Sequence, residues 1–288
     1  MVDLLISSPI NITRIEVWIT NRNASVEDFR NIVALADIGE TQQRNLVSSS
    51  VVPDPNSPSV VVNVNGVPTN VDIPANQSNN IFPFNSNLRD ISTVDNYLQG
   101  NFGMNQGVDY SILQNARKLQ TNEYTLNSQL GYISLNRRLN DGEVLAVAFE
   151  YTVVGASAGQ TSFKVGEFSN DGIDAPNNLA VKLLRSEILT TRRTNNNTGL
   201  EEPFPTWNLM MKNIYALGAS PLTQDGFRFE ILYRDDNTGI ASNVLQNSNT
   251  ENIPNVPLIQ VFKLDQLDQS QFRTADGFFD YVEGITVN

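Results

Sequence analysis

Strict two-residue alternation of apolar and polar side chains is what most limits the folds open to this chain. In residues 13–20, Ile15, Val17 and Ile19 fall on one side of an extended backbone, and Arg14, Glu16 and Trp18 on the other. In residues 227–233, Phe227, Phe229, Ile231 and Tyr233 alternate with Arg228, Glu230 and Leu232. Successive strand side chains point to opposite faces, so this period predicts strands with one face on a core. Residues 144–154 are apolar on nearly both faces, which predicts a central strand. Residues 31–38 and 179–184 are further strand candidates. Asn65-Gly66, after Val60-Val61-Val62, and Asn140-Asp141-Gly142, before Val144, read as hairpin turns because these residues tolerate positive φ.

Helical spacing is rarer. In residues 206–218, Thr206 can cap a first turn, Trp207, Met210, Met211, Ile214 and Leu217 share a face, and Gly218 can close the end. Residues 109–119 carry Ile112, Leu113, Ala116 and Leu119 as a second stripe, and residues 257–267 form a third candidate. Residues 48–80, 191–205 and 242–257 are rich in Ser, Asn and Pro and read as long loops. The expectation is a mainly β chain with a few helices: an antiparallel β-sandwich-like core with α+β decoration. Residues 1–190 would form the sandwich-like region, with the polar loop 48–80 and short helices near 92–119. Residues 191–205 would be a linker, and residues 206–288 a smaller α+β region.

Composition removes whole classes of chemistry. There is no Cys and no His, which eliminates thiolate nucleophiles, disulfides, Cys/His zinc sites and Ser-His-Asp arrangements. The net charge is -12 with 19 basic residues, and the pairs Arg137-Arg138 and Arg192-Arg193 stand alone, so no nucleic-acid footprint is expected. No stretch has the length and apolarity of a transmembrane helix, and the beginning has neither the basic nor the apolar region of a signal peptide. A soluble, exported segment, with its targeting information outside this chain, is the expectation.

Carboxylates are the acid-base groups that remain. Close pairs occur at Glu27-Asp28, Asp171/Asp174, Glu201-Glu202, Asp235-Asp236 and Asp265/Asp268. Asp171, Asp174, Asp235 and Asp236 lie in oxygen-rich runs and are candidate calcium ligands. Neither run has EF-hand spacing, and both have the composition that turns select, so turns are preferred over metal and no catalytic residue is assigned. The segment 100–107 has the glycines of a phosphate-binding loop but not the spacing, and reads as a flexible connection. Trp207 to Met211 offers a Met-rich face for a partner, with a buried helix stripe as the plainer reading.

Read in order, residues 12–21, 30–40, 124–135, 145–152, 207–215 and 276–287 resemble the SprA/Sov family, the giant outer-membrane translocon of the type IX secretion system in Bacteroidetes. The carrying runs include Ile12-Thr13-Arg14-Ile15-Glu16-Val17-Trp18-Ile19, Leu145-Ala146-Val147-Ala148-Phe149-Glu150-Tyr151 and Trp207-Asn208-Leu209-Met210-Met211-Lys212. The resemblance implies a structural segment of a conduit for folded cargo, needed for gliding motility in some members, with no enzymatic activity and no cofactor. It implies as partners other segments of the same chain, an outer-membrane barrel that receives cargo, and the secreted cargo itself. The long polar loops favour the cell-surface side of the outer membrane over the periplasm. Two other classes stay open: a free-standing carbohydrate-binding or adhesin module, and a carboxylate-dependent glycosidase.

Overall fold

The computed structural model describes residues 9–22, 29–64, 67–154, 162–194, 200–211, 222–245, 253, 255–266, 275–279 and 281. The chain divides into two compact units, one of residues 7–213 and a smaller one drawn mainly from residues 214–288.

Among its described residues the larger unit has twelve strands and two short helices. In chain order they are β1 (Ile10–Ile19), β2 (Phe29–Leu35), β3 (Ser59–Val64), β4 (Val67–Asp72), α1 (Ser86–Arg89), α2 (Val94–Phe102) and β5 (Tyr110–Lys118). There follow β6 (Tyr124–Asn127), β7 (Tyr132–Leu135), β8 (Leu145–Val153), β9 (Ser162–Val165), β10 (Leu179–Arg185), β11 (Arg192–Thr194) and β12 (Glu201–Pro203). The protein is mainly β with a few helices, as the alternation predicts.

Its main sheet runs β1-β5-β2-β10-β8-β9, and β1 also pairs with β8. The five strands β1, β5, β2, β10 and β8 therefore curl into a ring, narrowest in pairing at β1–β5, where Trp18 and Ile19 meet Lys118 and Arg117. All ring pairs are antiparallel except β2 with β10. The antiparallel core thus takes the form of a partly closed barrel.

Side chains from all five strands meet inside. Trp18, Ile32, Ala34, Leu113, Ala116, Ala146, Ala148, Leu179, Val181 and Leu183 form one buried cluster with Phe168. Alanines leave room for the Trp18 and Phe168 rings, the small-against-large filling that a narrow barrel requires. Trp18 is therefore a core residue at 1 % exposure rather than part of an outer face. Ile15, Val17 and Ile19 project the other way, under the β6–β7 hairpin. β8 is the central strand expected of residues 144–154: β1 lies along one edge, and β10 then β9 along the other.

The polar run 48–80 is not a solvated loop. It forms the β3–β4 hairpin, whose turn residues 65–66 lie outside the described residues. With α2 it closes the barrel's outer face, burying Val51, Val60, Ile73, Ala75, Ile81, Leu98 and Phe102 against Val33, Leu35, Tyr151 and Val165. The polar residues of this run have buried partners of their own. Asn76 both donates to Gly166 O at 3.0 Å and accepts from Gly166 N at 2.7 Å.

Residues 109–119 are strand β5, not a helix. A bulge opposite Asn31 pushes Gln114 and Asn115 outward, with Asn115 at φ 55° and its N–H 3.0 Å from Asn31 Oδ1. Leu113 and Ala116, three apart, then both enter the barrel and imitate a helical stripe. The segment 100–107 begins inside a helix: Gly100 lies within α2 and Gly103, at φ 62°, caps it with its N–H on Gln99 O. Residues 191–205, read as a linker, hold the β11–β12 hairpin.

Thr206 begins no long helix within the described residues. A 3-10 turn spans Pro205–Leu209, and Met210 is already extended. Met210 and Met211 are half exposed, and the rest of that candidate lies outside the described residues.

In the smaller unit, β13 (Tyr233–Arg234) pairs with β14 (Ala241–Ser242), and α3 (Leu258–Val261) is a single turn. The strand expected over 227–233 reduces to its last residue, although Phe227, Phe229 and Ile231 keep alternating with exposed neighbours. Phe227 packs on Tyr281 with ring centres 4.9 Å apart, and Phe229 on Phe279 at 5.0 Å. The helix expected over 257–267 stops where Lys263 turns to φ 56°.

Candidate functional site

Among the described residues of the larger unit, polar side chains line a cleft at two places. The first, about 410 Å³, lies where β1 ends, between Arg22, Arg117 of β5, and the segment that carries Glu123, Arg137, Asn140 and Glu143. It is framed by the same local structure used twice. Arg117 and Glu123 enclose a turn in which Glu123 N donates to Gln120 O, while Gln120 N donates back to Glu123 Oε2 at 2.9 Å. Arg137 and Glu143 enclose an equivalent turn, with Asn140 N on Glu143 Oε2 at 2.7 Å. In each, an arginine six residues upstream holds the carboxylate: Arg117 at 2.8 Å, and Arg137 in a two-pronged grip at 3.2 Å.

Arg22 adds a third guanidinium, with its Nε 3.5 Å from Glu143 Oε1 and its Nη2 on Asp141 O at 2.7 Å. The Arg117 hydrogen bond holds the Glu123 carboxyl below the usual carboxylate range. Burial would raise Glu143, but the Arg137 grip, the Asn140 N–H and the Arg22 charge outweigh it and hold it low as well. Both carboxylates are therefore ionised at neutral pH, and the cleft lining carries three positive charges against two negative ones.

The second cleft, about 630 Å³, runs beside the edge strand β9 and includes Arg14, Glu150, Lys164, Glu167 and Asp171. Arg14 lies 3.7 Å over the Phe168 ring. Asp171 Oδ2 accepts from Phe168 N at 2.7 Å and from Lys164 Nζ at 2.9 Å, so this candidate calcium ligand is engaged in a turn and an ion pair. Asp174 closes the next turn through its carbonyl, which accepts from Asn177 N. In the smaller unit, Asp235 Oδ1 accepts from Asn237 N at 2.9 Å and Oδ2 from Thr238 Oγ1 at 3.1 Å, and Asp236 is exposed beside it. These bonds, the Asn237 N–H first, hold the Asp235 carboxyl below its ordinary range. Among the described residues no three acidic groups are grouped to hold a metal ion.

The other carboxylate pairs also divide. Glu201 and Glu202 sit on β12, facing Arg192 and Arg193. Asp265 is buried and accepts from Gly277 N, whereas Asp268, Glu27 and Asp28 lie outside the described residues.

A third polar cluster is buried. Asp37, fully inaccessible, accepts from Val47 N at 2.9 Å and Ser48 N at 3.2 Å. Beside it, Lys182 binds Glu40 and donates to Ala36 O at 2.6 Å. Burial pushes the Asp37 carboxyl up to about 7 against these hydrogen bonds, and Glu40 is raised for the same first reason.

The arginine cleft is invisible to motif reading, since its residues come from Arg22 to Glu143. The repeated Arg-x5-Glu spacing at Arg117/Glu123 and Arg137/Glu143 is the one linear trace of it. No helix among the described residues is long and apolar enough to cross a membrane. No protein-family model matches the chain, and no curated protein matches it.

Proposed function

We propose that this chain is a structural, non-enzymatic segment of an outer-membrane protein-secretion translocon, placed on the cell-surface side. What supports the reading is where the family-like residues fall. Residues 12–21, 30–40 and 145–152 coincide with β1, β2 and β8, three of the five barrel strands, and residues 124–135 with the β6–β7 hairpin packed on them. The carboxylates of both clefts are engaged in hydrogen bonds and ion pairs that tie segments of the fold together, which suits a scaffold. In this role the segment packs against other parts of its own translocon chain and borders the path of secreted cargo.

Asn56, exposed in the turn 54–57 before β3, provides the test. An epitope inserted there in the full protein is expected to bind antibody on intact cells. Cells lacking the protein are expected to retain cargo that bears a C-terminal sorting signal. Labelling only after permeabilisation overturns the surface placement in favour of the periplasm, and normal cargo export without the protein overturns the translocon reading itself.

A further inference from the structure

We propose that the cleft at the end of β1 binds a carboxylate from outside the chain, presented by a small acid or by a peptide. Its two turn-and-clamp structures show the chemistry at work, because each arginine already holds a carboxylate beside the opening. Arg117 has capacity to spare. Among the described residues its guanidinium makes one hydrogen bond, to Glu123, of the five N–H it carries, and it lines the cleft at 19 % side-chain exposure. Arg22 reaches the same space from the β1 end.

Charge selects the ligand. Three guanidiniums against Glu123 and Glu143 leave one positive charge, in a chain whose net charge is -12. A monoanionic carboxylate neutralises that surplus, and its planar pair of oxygens fits the guanidinium fork. Phosphate carries more than one negative charge at neutral pH and would leave the site negative. The acidic surface elsewhere repels anions, so binding here is expected to be weak and to fade with salt. This inference does not depend on the translocon reading.

Titration of the whole chain with N-acetylglycine, N-acetylglycinamide and phosphate, followed by NMR shifts of the Arg117 and Arg137 side chains, tests it. Saturable shifts with N-acetylglycine alone are the expected result, weakened about tenfold in Arg117→Gln. A peptide with a free C-terminus, compared with its amidated form, then shows whether a chain end serves as well as a free acid. Equal binding of the amide, tighter binding of phosphate, or unchanged affinity in a folded Arg117→Gln protein overturns the proposal. If that variant fails to fold, Arg22→Gln, half exposed past the strand end, takes its place under the same two outcomes.

Discussion

Gly166 lies so close to Ala148 that a Cβ on the glycine would stand 3.0 Å from the alanine methyl and 3.1 Å from its Cα. This is the point where β8 changes partner on one edge, from β10 at Val147 to β9 at Phe149. The turn that makes the exchange holds Gly166 at φ 82° and is fixed by Asn76 on both its N–H and its carbonyl.

Gly166→Ala is therefore expected to combine left-handed strain with a backbone clash that no rotamer can relieve. The expected loss is about 2–4 kcal/mol of unfolding free energy, measured by urea denaturation. Gly142, also at positive φ but with nothing near its Cβ position, is the control. Its alanine variant should lose only the strain component. Equal losses at both sites would show that the contact with Ala148 does not matter.

Arg89 and Glu167 make the second expectation. The α1 guanidinium spans both Glu167 oxygens and also donates to Asn178 O at 3.0 Å, while Glu167 accepts from Ala180 N at 2.8 Å. The Glu167 side chain is only 9 % exposed. Arg89→Ala would leave that carboxylate buried without its cation, at a cost of about 3 kcal/mol. Adding Glu167→Gln should recover part of the loss, and a double-mutant cycle reads the coupling. A coupling near zero would mean that the two side chains stabilise the fold independently.

Asp37 gives the pH dependence its sign. Its folded carboxyl titrates near 7, against an ordinary value of 3.8, because burial outweighs its two N–H bonds and Lys182. The folded state thus binds the proton more tightly than the unfolded chain between these values. The stability this supplies is full below about pH 4 and is lost as pH rises through about 7. Glu40, raised in the same direction, adds to the slope. Asp37→Asn should flatten the stability profile across this window, measured by denaturant midpoints from pH 4 to 8. A profile as steep as that of the parent would assign the slope to other groups.

β1 was legible because its alternate positions meet different neighbours, and β8 because its run is apolar on nearly both faces, as a strand paired on both edges requires. β5 was not, because its bulge converts the period into the three-residue step between Leu113 and Ala116. The run 48–80 misled for a different reason. Its Ser, Asn and Pro residues suggested solvent, but Asn76 and Asn79 are buried and donate to Gly166 O and Asp37 O, partners that only the tertiary fold supplies, while Ser78 is buried on Ile73 O within the run. The arginine cleft was hidden because strand ends meet there from distant parts of the chain, and only its repeated Arg-x5-Glu step is local.

The calcium candidates yield the last expectation. Calcium takes six to eight oxygens in all and draws on carboxylates whose charge is not already taken up by another cation. One Asp171 oxygen serves the Phe168 N–H and the Lys164 ammonium, and losing the Lys164 pair would oppose metal entry. Adding calcium, or removing it with a chelator, should therefore leave the melting temperature unchanged. A site filled at a hundredfold excess over its dissociation constant would instead add about 2.7 kcal/mol. Asp171→Asn should weaken the fold whether or not calcium is present, because the Lys164 pair is lost in either case. A destabilisation seen only in the presence of calcium would move Asp171 from the turn to a metal site.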